Sequence, residues 1–460
     1  MTTNTQARPG DVPFRPERSI LELGDGFYDT VAAAGFPQTL LRFRNDRAAA
    51  QVGLNSLSDA DWLARFGRFA HLPGSIEEPL ALRYHGHQFR TYNPDIGDGR
   101  GFLFAQMRDD RDRLMDLGTK GSGQTPYSRF GDGRLTLKGA VREILATEML
   151  EALGVETSRT FSVIETGEAL ERGDEPSPTR SAVLVRLSHG HIRIGTFQRL
   201  AYHRDADAMA RLVGYCLKHF YNEEAGEDAP ARLLALVVER TARLAAGYMA
   251  AGFVHGVLNT DNINVTGESF DYGPWRFAER WDPAFTAAYF DHSGLYAFGR
   301  QPEAIHWNCM QLAVALRTVS EAPPLIAALD GFGDRYQAEV TRALLWRLGV
   351  TPRGDAEDRA LVAALEQALH GDGVTIARFF HDAFGGALPD SYGPPFDDLR
   401  ATLSDYAPRK HRTHPHWSTA PCGMAIEEVE TLWSHIGQDD DWRPLYAKID
   451  AIRAMGDALA

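Results

Sequence analysis

The sequence predicts an α+β protein of two lobes, strand-rich first and helix-rich second. Three observations carry this. Residues 79–135 are rich in glycine and short apolar alternations, the pattern of strands and tight turns. Residues 159–166 (RTFSVIET) and 181–187 (SAVLVRL) are β-branched runs joined by the polar stretch ERGDEPSPTR, which reads as a hairpin. From about residue 205 the apolar spacing becomes helical, as in Leu233, Leu236, Val237, Thr241, Leu244 and Tyr248. Strands followed by helices fit α+β better than alternating βαβ units.

In chain order, residues 1–17 are polar with three prolines and read as a loose arm, and 18–78 mix short apolar runs with turns. Residues 1–78 are therefore taken as an N-terminal extension, 79–204 as the first lobe, 205–401 as the second and 402–460 as a C-terminal extension. Thr136 to Leu153 reads as a helix inserted among the strands, with Thr136 as N-cap and Gly154 just past its end. Phe253 to Val265 is a strand-like patch, after which helical spacing runs from Pro302 to about residue 401. The last part is His- and Pro-rich and ends in a helical tail from about Ala425.

The chain has 460 residues, 44% of them hydrophobic and 24% charged, enough apolar material for a sizeable core. Its 48 Lys and Arg against 62 Asp and Glu leave a net charge of −14. That balance argues against nucleic-acid or anionic-membrane partners, though not against a local basic pocket. The start, MTTNTQARPG, shows no apolar signal region, and no stretch of about 18 uncharged apolar residues occurs. Cys216, Cys309 and Cys422 are few, odd in number and far apart, which implies no disulfide framework. A cytoplasmic monomer is expected.

Several residue sets could carry chemistry. Gly97-Asp98-Gly99-Arg100 recurs as Gly131-Asp132-Gly133-Arg134. Glycines at alternate positions let a backbone approach an anion, and Arg adds a fork for phosphate; the plain alternative is a pair of hairpin turns. Lys120 ends a strand-like run, and Glu143 lies on the inserted helix between Ala140 and Thr147, neighbours small enough to let it reach a strand. A strand Lys paired with a helix Glu orders ATP phosphates in kinases, although either residue alone suits a solvated surface. Arg186 and Arg193 flank LSHGHI and suit a polyphosphate or, more plainly, two salt bridges. His189 and His191 have no third ligand nearby, and KHRTHPH (410–416) reads as a solvated loop.

The strongest local signal is HGVLNTDNINV, beginning at His255, followed by Asp271-Tyr272-Gly273. The kinase catalytic loop HRDLxxxN and its DFG have this arrangement. His255 stands at the loop His, Asn262 falls seven residues later at the metal-binding Asn, and Asp271 opens the D-aromatic-G triplet. Oxygen ligands from Asn262 and Asp271 suit a hard cation. Val257, however, occupies the place of the catalytic-base Asp, and the nearest acid is Asp261.

Together these stretches resemble the selenoprotein O family. YHGHQFRTYNPDIGDGR, LGTKGSGQTPYSRFGDGR, VREILATEML, LVRLSHGHIRIGTF, FVHGVLNTDN with FDYGP, and GLYAFGRQPEAIHWN carry the resemblance in order over roughly residues 80–310. It implies a protein-kinase-like fold that transfers AMP, rather than phosphate, from ATP to Ser, Thr or Tyr hydroxyls of proteins. In that family ATP lies reversed in the cleft, with its α-phosphate toward the acceptor. The resemblance also implies that Gly97, Gly99, Arg100, Asp132 and Gly133 contact nucleotide, that Lys120 with its partner Glu143 binds phosphate, and that Arg186 and Arg193 hold the outer phosphates. Asp261 would accept the acceptor's proton, and Asn262 and Asp271 would bind Mg²⁺, or Mn²⁺ in its place. Members often carry a cysteine or selenocysteine close to the C-terminus; this chain ends MGDALA, and FTAAYFD (285–291) has no cysteine either. Two other readings stay open, a non-catalytic nucleotide-binding scaffold and an ordinary protein kinase.

Overall fold

The computed structural model describes residues 12–173, 175–371 and 373–460. Its first lobe is built on an antiparallel sheet. In chain order the strands are β1 (Arg15–Glu17), β2 (Tyr28–Thr30), β3 (Leu40–Arg44), β4 (Leu80–Leu82), the small separate hairpin β5 (Gly86–Gln88) and β6 (Thr91–Asn93), β7 (Leu103–Arg108), β8 (Leu114–Lys120), β9 (Leu135–Thr136), β10 (Arg159–Leu170) and β11 (Thr179–Ser188). The main sheet runs β2-β4-β7-β8-β11-β10-β3, with β1 added on β7 and β9 on β11.

The central strands are buried on both faces, so their sequences read as continuous apolar runs. The two faces still separate with period two. Val183, Val185 and Leu187 pack with Trp62, Phe66 and Phe161, whereas Ala182 and Leu184 join the cluster around Val141, Ile144 and Leu145. The first face is covered by α1 (Asp46–Gln51) and α2 (Asp59–Phe66), the second by α3 (Leu137–Ala152). Thr136 caps α3, its Oγ1 accepting from the Gly139 N–H at 3.1 Å, and Gly154 follows the helix at φ +78°.

Residues 15–66, read from sequence as part of an extension, thus supply three strands and two covering helices to the first lobe. Arg15–Glu17 pairs with Gln106–Arg108 rather than hanging as an arm; residues 1–11 of that expected arm lie outside the described residues. The segment's strands are short and its partners distant in sequence, so local periodicity could not show them.

The second lobe is helical: α4 (Ile194–His203), α5 (Ala206–Tyr221), α6 (Ala229–Ala251), α7 (Gln301–Leu316), α8 (Ala322–Asp330), α9 (Phe332–Leu348), α10 (Asp355–Gly371), α11 (Ile376–Ala383) and α12 (Asp397–Leu403). The strand expected over 253–265 shrinks to β12 (Phe253–Val254), paired with β13 (Arg276–Phe277). Gly256 at φ +84° turns the chain out of the strand, and Thr260–Asn262 is a 3-10 turn. Leu258, Ile263 and Val265 are apolar because the loop buries them, not because they form a ladder. No helix among the described residues is long and apolar enough to cross a membrane.

The last two helices, α13 (Ile426–Asp439) and α14 (Arg443–Leu459), return to the first lobe. Lys138 of α3 pairs with Glu430 at 2.7 Å, and Arg180 of β11 with Asp440 at 2.7 Å. Arg453 grips Glu148 of α3 through two hydrogen bonds of 2.8 and 2.7 Å. Glu148 is only 4% exposed, so Arg453→Ala would leave a buried carboxylate without its cation, held by a 3.4 Å hydrogen bond from Asn45 Nδ2. The expected loss is about 2 kcal/mol, less than for a fully buried pair because Arg453 reaches solvent. Urea unfolding checks it; an unchanged midpoint would show that α14 does not brace α3.

Candidate active site

Between the lobes lies a cavity of about 680 Å³. Both Gly-Asp-Gly-Arg turns line it, together with Lys120, Arg186, Arg193, Asp261 and Asp271. Each side chain arrives on a different element. Lys120 ends β8 and Arg186 lies on β11, whose register sets Leu184 opposite Lys120 and Arg186 opposite Gly118. Arg193 precedes α4 and is tied to the loop after β12: the Ile194 N–H donates to the Ile263 carbonyl and the Val265 N–H to the Ile192 carbonyl, both at 3.0 Å. That pairing sets Arg193 against Asp261, whose backbone carbonyl accepts from Nη1 at 3.0 Å.

The cations converge on Asp271. Lys120 Nζ is 2.9 Å from Oδ1, Arg186 Nη1 is 3.3 Å from the same oxygen, and Arg193 Nη1 is 3.1 Å from Oδ2. Burial alone would raise the Asp271 pKa, but Lys120, Arg186 and Arg193 together hold it well below the usual carboxylate range. Lys120 also pairs with Glu143 of α3 at 2.6 Å, the strand-to-helix contact expected from sequence. Arg186 and Arg193 lie over the Phe270 ring at 5.2 and 4.9 Å, and Arg193 also over Tyr84 at 4.4 Å. The cavity wall as a whole carries seven Lys and Arg side chains against four Asp, an excess of positive charge that suits a polyanion.

The loop itself has kinase-like wiring. His255 Nε2 donates to the Phe270 carbonyl at 3.1 Å, bridging the loop to the Asp271 triplet. Burial lowers the His255 pKa, which keeps the ring neutral. Asn262 Nδ2 donates to the Val257 carbonyl at 2.9 Å, so its amide oxygen is left for another partner. Asp261 is nine-tenths buried, and its Oδ1 has no hydrogen-bond partner among the described residues. Burial, opposed by Arg193, raises its pKa to about 6. Neither Asn262 nor Glu143 forms part of the cavity wall; each stands beside a residue that does. The donors around this corner, an amide oxygen and two carboxylates, are hard oxygens that fit a small divalent cation. His189 and His191 are engaged otherwise, since His189 Nδ1 donates to the Leu114 carbonyl.

The glycine-rich turns differ from the sequence expectation in one respect. A Cβ on Gly97 would sit 2.4 Å from the Tyr127 ring, so the glycine there admits Tyr127 rather than leaving open space for ligand. Tyr127 belongs to the segment leading into the second turn, and Ser128 Oγ donates to the Gly99 carbonyl at 2.5 Å. The two turns are therefore fastened to each other. Asp132 Oδ1 accepts from the Arg134 N–H at 2.9 Å, and its carboxylate pairs with Arg172, another wall residue.

Two contributions were missed from sequence. Asp98 Oδ1 accepts from Arg193 Nη2 at 3.1 Å, and Oδ2 from the Leu82 N–H, fixing the guanidinium; its place inside the first Gly-Asp-Gly-Arg was the available signal. His191 stands behind Arg186, 3.2 Å from its Nε, and is itself held by Asp116 at 3.2 Å. Nothing local could have announced that contact, because Asp116 and His191 are 75 residues apart.

Comparison with known proteins accords with this geometry. The profile of the family described as Protein adenylyltransferase SelO matches residues 13–386. A protein nucleotidyltransferase YdiU of Synechococcus elongatus is 43% identical over 486 residues, covering 98% of this chain and 96% of its own length. Its counterpart in Gloeobacter violaceus is 46% identical over 465 residues, covering 95% and 94%. Among solved structures, the kinase domain of a Toxoplasma gondii rhoptry antigen aligns over 58% of this chain and 83% of its own at 11% identity, with a TM-score of 0.30, too loose a likeness to weigh here. The strand-rich and helical lobes, the Lys120–Glu143 pair and the nearly full-length relatives agree, and the chain belongs to the SelO family of protein adenylyltransferases.

Proposed function

We propose that this cavity transfers AMP from ATP to Ser, Thr or Tyr hydroxyls of protein substrates and releases pyrophosphate. The observation that carries this reading is the cluster of Lys120, Arg186 and Arg193 around Asp271, beside an acid, Asp261, with a free buried oxygen. The three cations hold the leaving pyrophosphate end, and Glu143 and Asp98 fix Lys120 and Arg193 in place. The turns at Gly97, Gly99, Arg100, Asp132 and Gly133 bound the rest of the nucleotide. Asp261 orients the acceptor hydroxyl and takes its proton. Asn262 and Asp271 would hold Mg²⁺, or Mn²⁺, whose charge neutralises phosphate oxygens when bound. Positioning and electrostatics do most of the work in such transfers.

An ordinary kinase reading fails on Val257, which offers no base at the kinase position. A scaffold that only binds nucleotide has no use for a buried acid whose Oδ1 is unpaired among the described residues, whereas proton transfer from an acceptor hydroxyl uses such an acid. Asp261→Asn is expected to slow transfer about 100-fold, the range for losing a general base, with ATP affinity nearly unchanged by calorimetry. Loss of ATP binding in this variant would instead assign Asp261 to holding nucleotide.

Gly86 offers an independent check. A Cβ there would stand 3.0 Å from Asp261 Oδ1 and 3.1 Å from Ile96 Cδ1. Gly86→Ala is therefore expected to push the carboxylate off its position and lower kcat about tenfold with little change in KM for ATP. Steady-state kinetics at saturating protein substrate checks this; an unchanged kcat would separate Asp261 from the proton transfer.

A further inference from the structure

A second cavity, of about 460 Å³, lies between the helical lobe and the segment leading into α13. Met149 of α3, Phe277 of β13, Ile376 of α11 and Met424 give it apolar walls. Arg347 of α9 also lines it and is only 5% exposed. The guanidinium lies over the Phe380 ring at 4.1 Å, and its one hydrogen bond among the described residues goes to the Ala250 carbonyl. No acidic group among the described residues offsets its burial, which pulls its pKa down to about 9.

The other charges around this cavity are already balanced or lie outside. Glu428 pairs with Lys448 at 2.5 Å. Arg378 is exposed and pairs with Asp382 at 2.6 Å, and Glu279 is exposed at the rim. Among the described residues, Arg347 is thus the one cation lining this cavity that is buried and has no acidic partner. Ala250 lies in the last turn of α6, where a cation is favoured. That contact uses one of the five N–H donors of the guanidinium and brings no counter-charge. A buried charge without a counter-ion is unfavourable, and an anion supplied from solution would relieve it.

We propose that this cavity is a second ligand site, taking a carboxylate with an apolar body of about ten carbons, its anionic end on Arg347 and its body on the apolar walls. With Arg378 already paired and Arg347 the one buried cation without an acid among the described residues, the site favours a monocarboxylate over a nucleotide, which would bring more charge than the site balances. The site is separate from the nucleotide cavity and shares no wall residue with it.

Calorimetry on the full chain with decanoate and with decanol, both below their aggregation limits, tests this. Decanoate is expected to bind at least tenfold more tightly than decanol. Arg347→Met is expected to remove that preference, leaving the two ligands bound alike. Ala377→Phe, at a wall position 3.6 Å from where a Cβ on Gly423 would stand, is expected to block both without altering Arg347. Absence of decanoate binding, equal affinity for decanol, or an undiminished preference in Arg347→Met would overturn the proposal. Should Arg347→Met fail to fold, unchanged decanoate binding by Ala377→Phe would overturn it as well.

Discussion

Asp271→Ala is expected to abolish AMP transfer, by about 10³-fold or more, while ATP still binds. Asp271 is the carboxylate on which Lys120, Arg186 and Arg193 meet, and it is also one of the two proposed metal ligands. The sequence alone suggests that the change would spare the fold, since it removes a ligand and no core packing. The structure adds an electrostatic cost. Without Asp271, three cations face one another in a buried pocket, with Glu143, Asp98 and Asp261 as the remaining acids. A triphosphate would relieve that repulsion. Saturating ATP is therefore expected to raise the Tm of Asp271→Ala by more than it raises that of the native protein. An equal or smaller rise, or transfer within tenfold of native, would remove Asp271 from this role.

Lys120→Met acts twice, on stability and on turnover. Lys120 is 4% exposed, and its Nζ is the hydrogen-bond partner of Glu143, whose Oε1 has none among the described residues and lies 3.8 Å from Arg186 Nη1. Losing the cation leaves a carboxylate buried without its hydrogen-bonding partner, a change that costs about 3 kcal/mol of stability. It also removes a charged phosphate contact, which costs on the order of 2 kcal/mol in transition-state binding, about 30-fold in kcat/KM. The two effects separate in the double variant Lys120→Met with Glu143→Gln. Neutralising the stranded carboxylate is expected to restore most of the stability and none of the activity. Denaturant unfolding and steady-state kinetics on the single and double variants measure both. Normal turnover by Lys120→Met would rule out its phosphate role.

The parts legible in the sequence are those written in local spacing. The helix carrying Glu143 shows its cap at Thr136 and its end at Gly154, and the loop from His255 to Asp271 shows its kinase-like intervals. The Lys120–Glu143 contact was foreseeable because small neighbours flank Glu143 and β8 ends at Lys120. The parts that were not legible depend on pairing across long stretches of chain. β1, β2 and β3 are three to five residues long, and their partners lie far along the chain, so no periodicity marks them. The clasp of Arg453 on Glu148 spans 305 residues and joins a tail of unassigned role to the helix that positions Glu143. Gly97 illustrates a different limit: its sequence context suggests ligand approach, yet the space beside it is taken by Tyr127.

The most direct measurement follows which phosphorus enters protein. In a kinase the acceptor meets the γ-phosphate beside the loop Asp; here Val257 holds that place, and the acid with a free oxygen is Asp261. On the proposed reading Arg186 and Arg193 hold the triphosphate tail, which leaves the α-phosphate to meet the acceptor. Incubating the protein with ATP labelled at the α-phosphate, and in parallel at the γ-phosphate, is expected to place α-label alone on hydroxyl side chains and to release pyrophosphate. Transfer of γ-label without α-label would contradict AMP transfer and make the protein a kinase, and binding of ATP with neither label transferred would make it a scaffold.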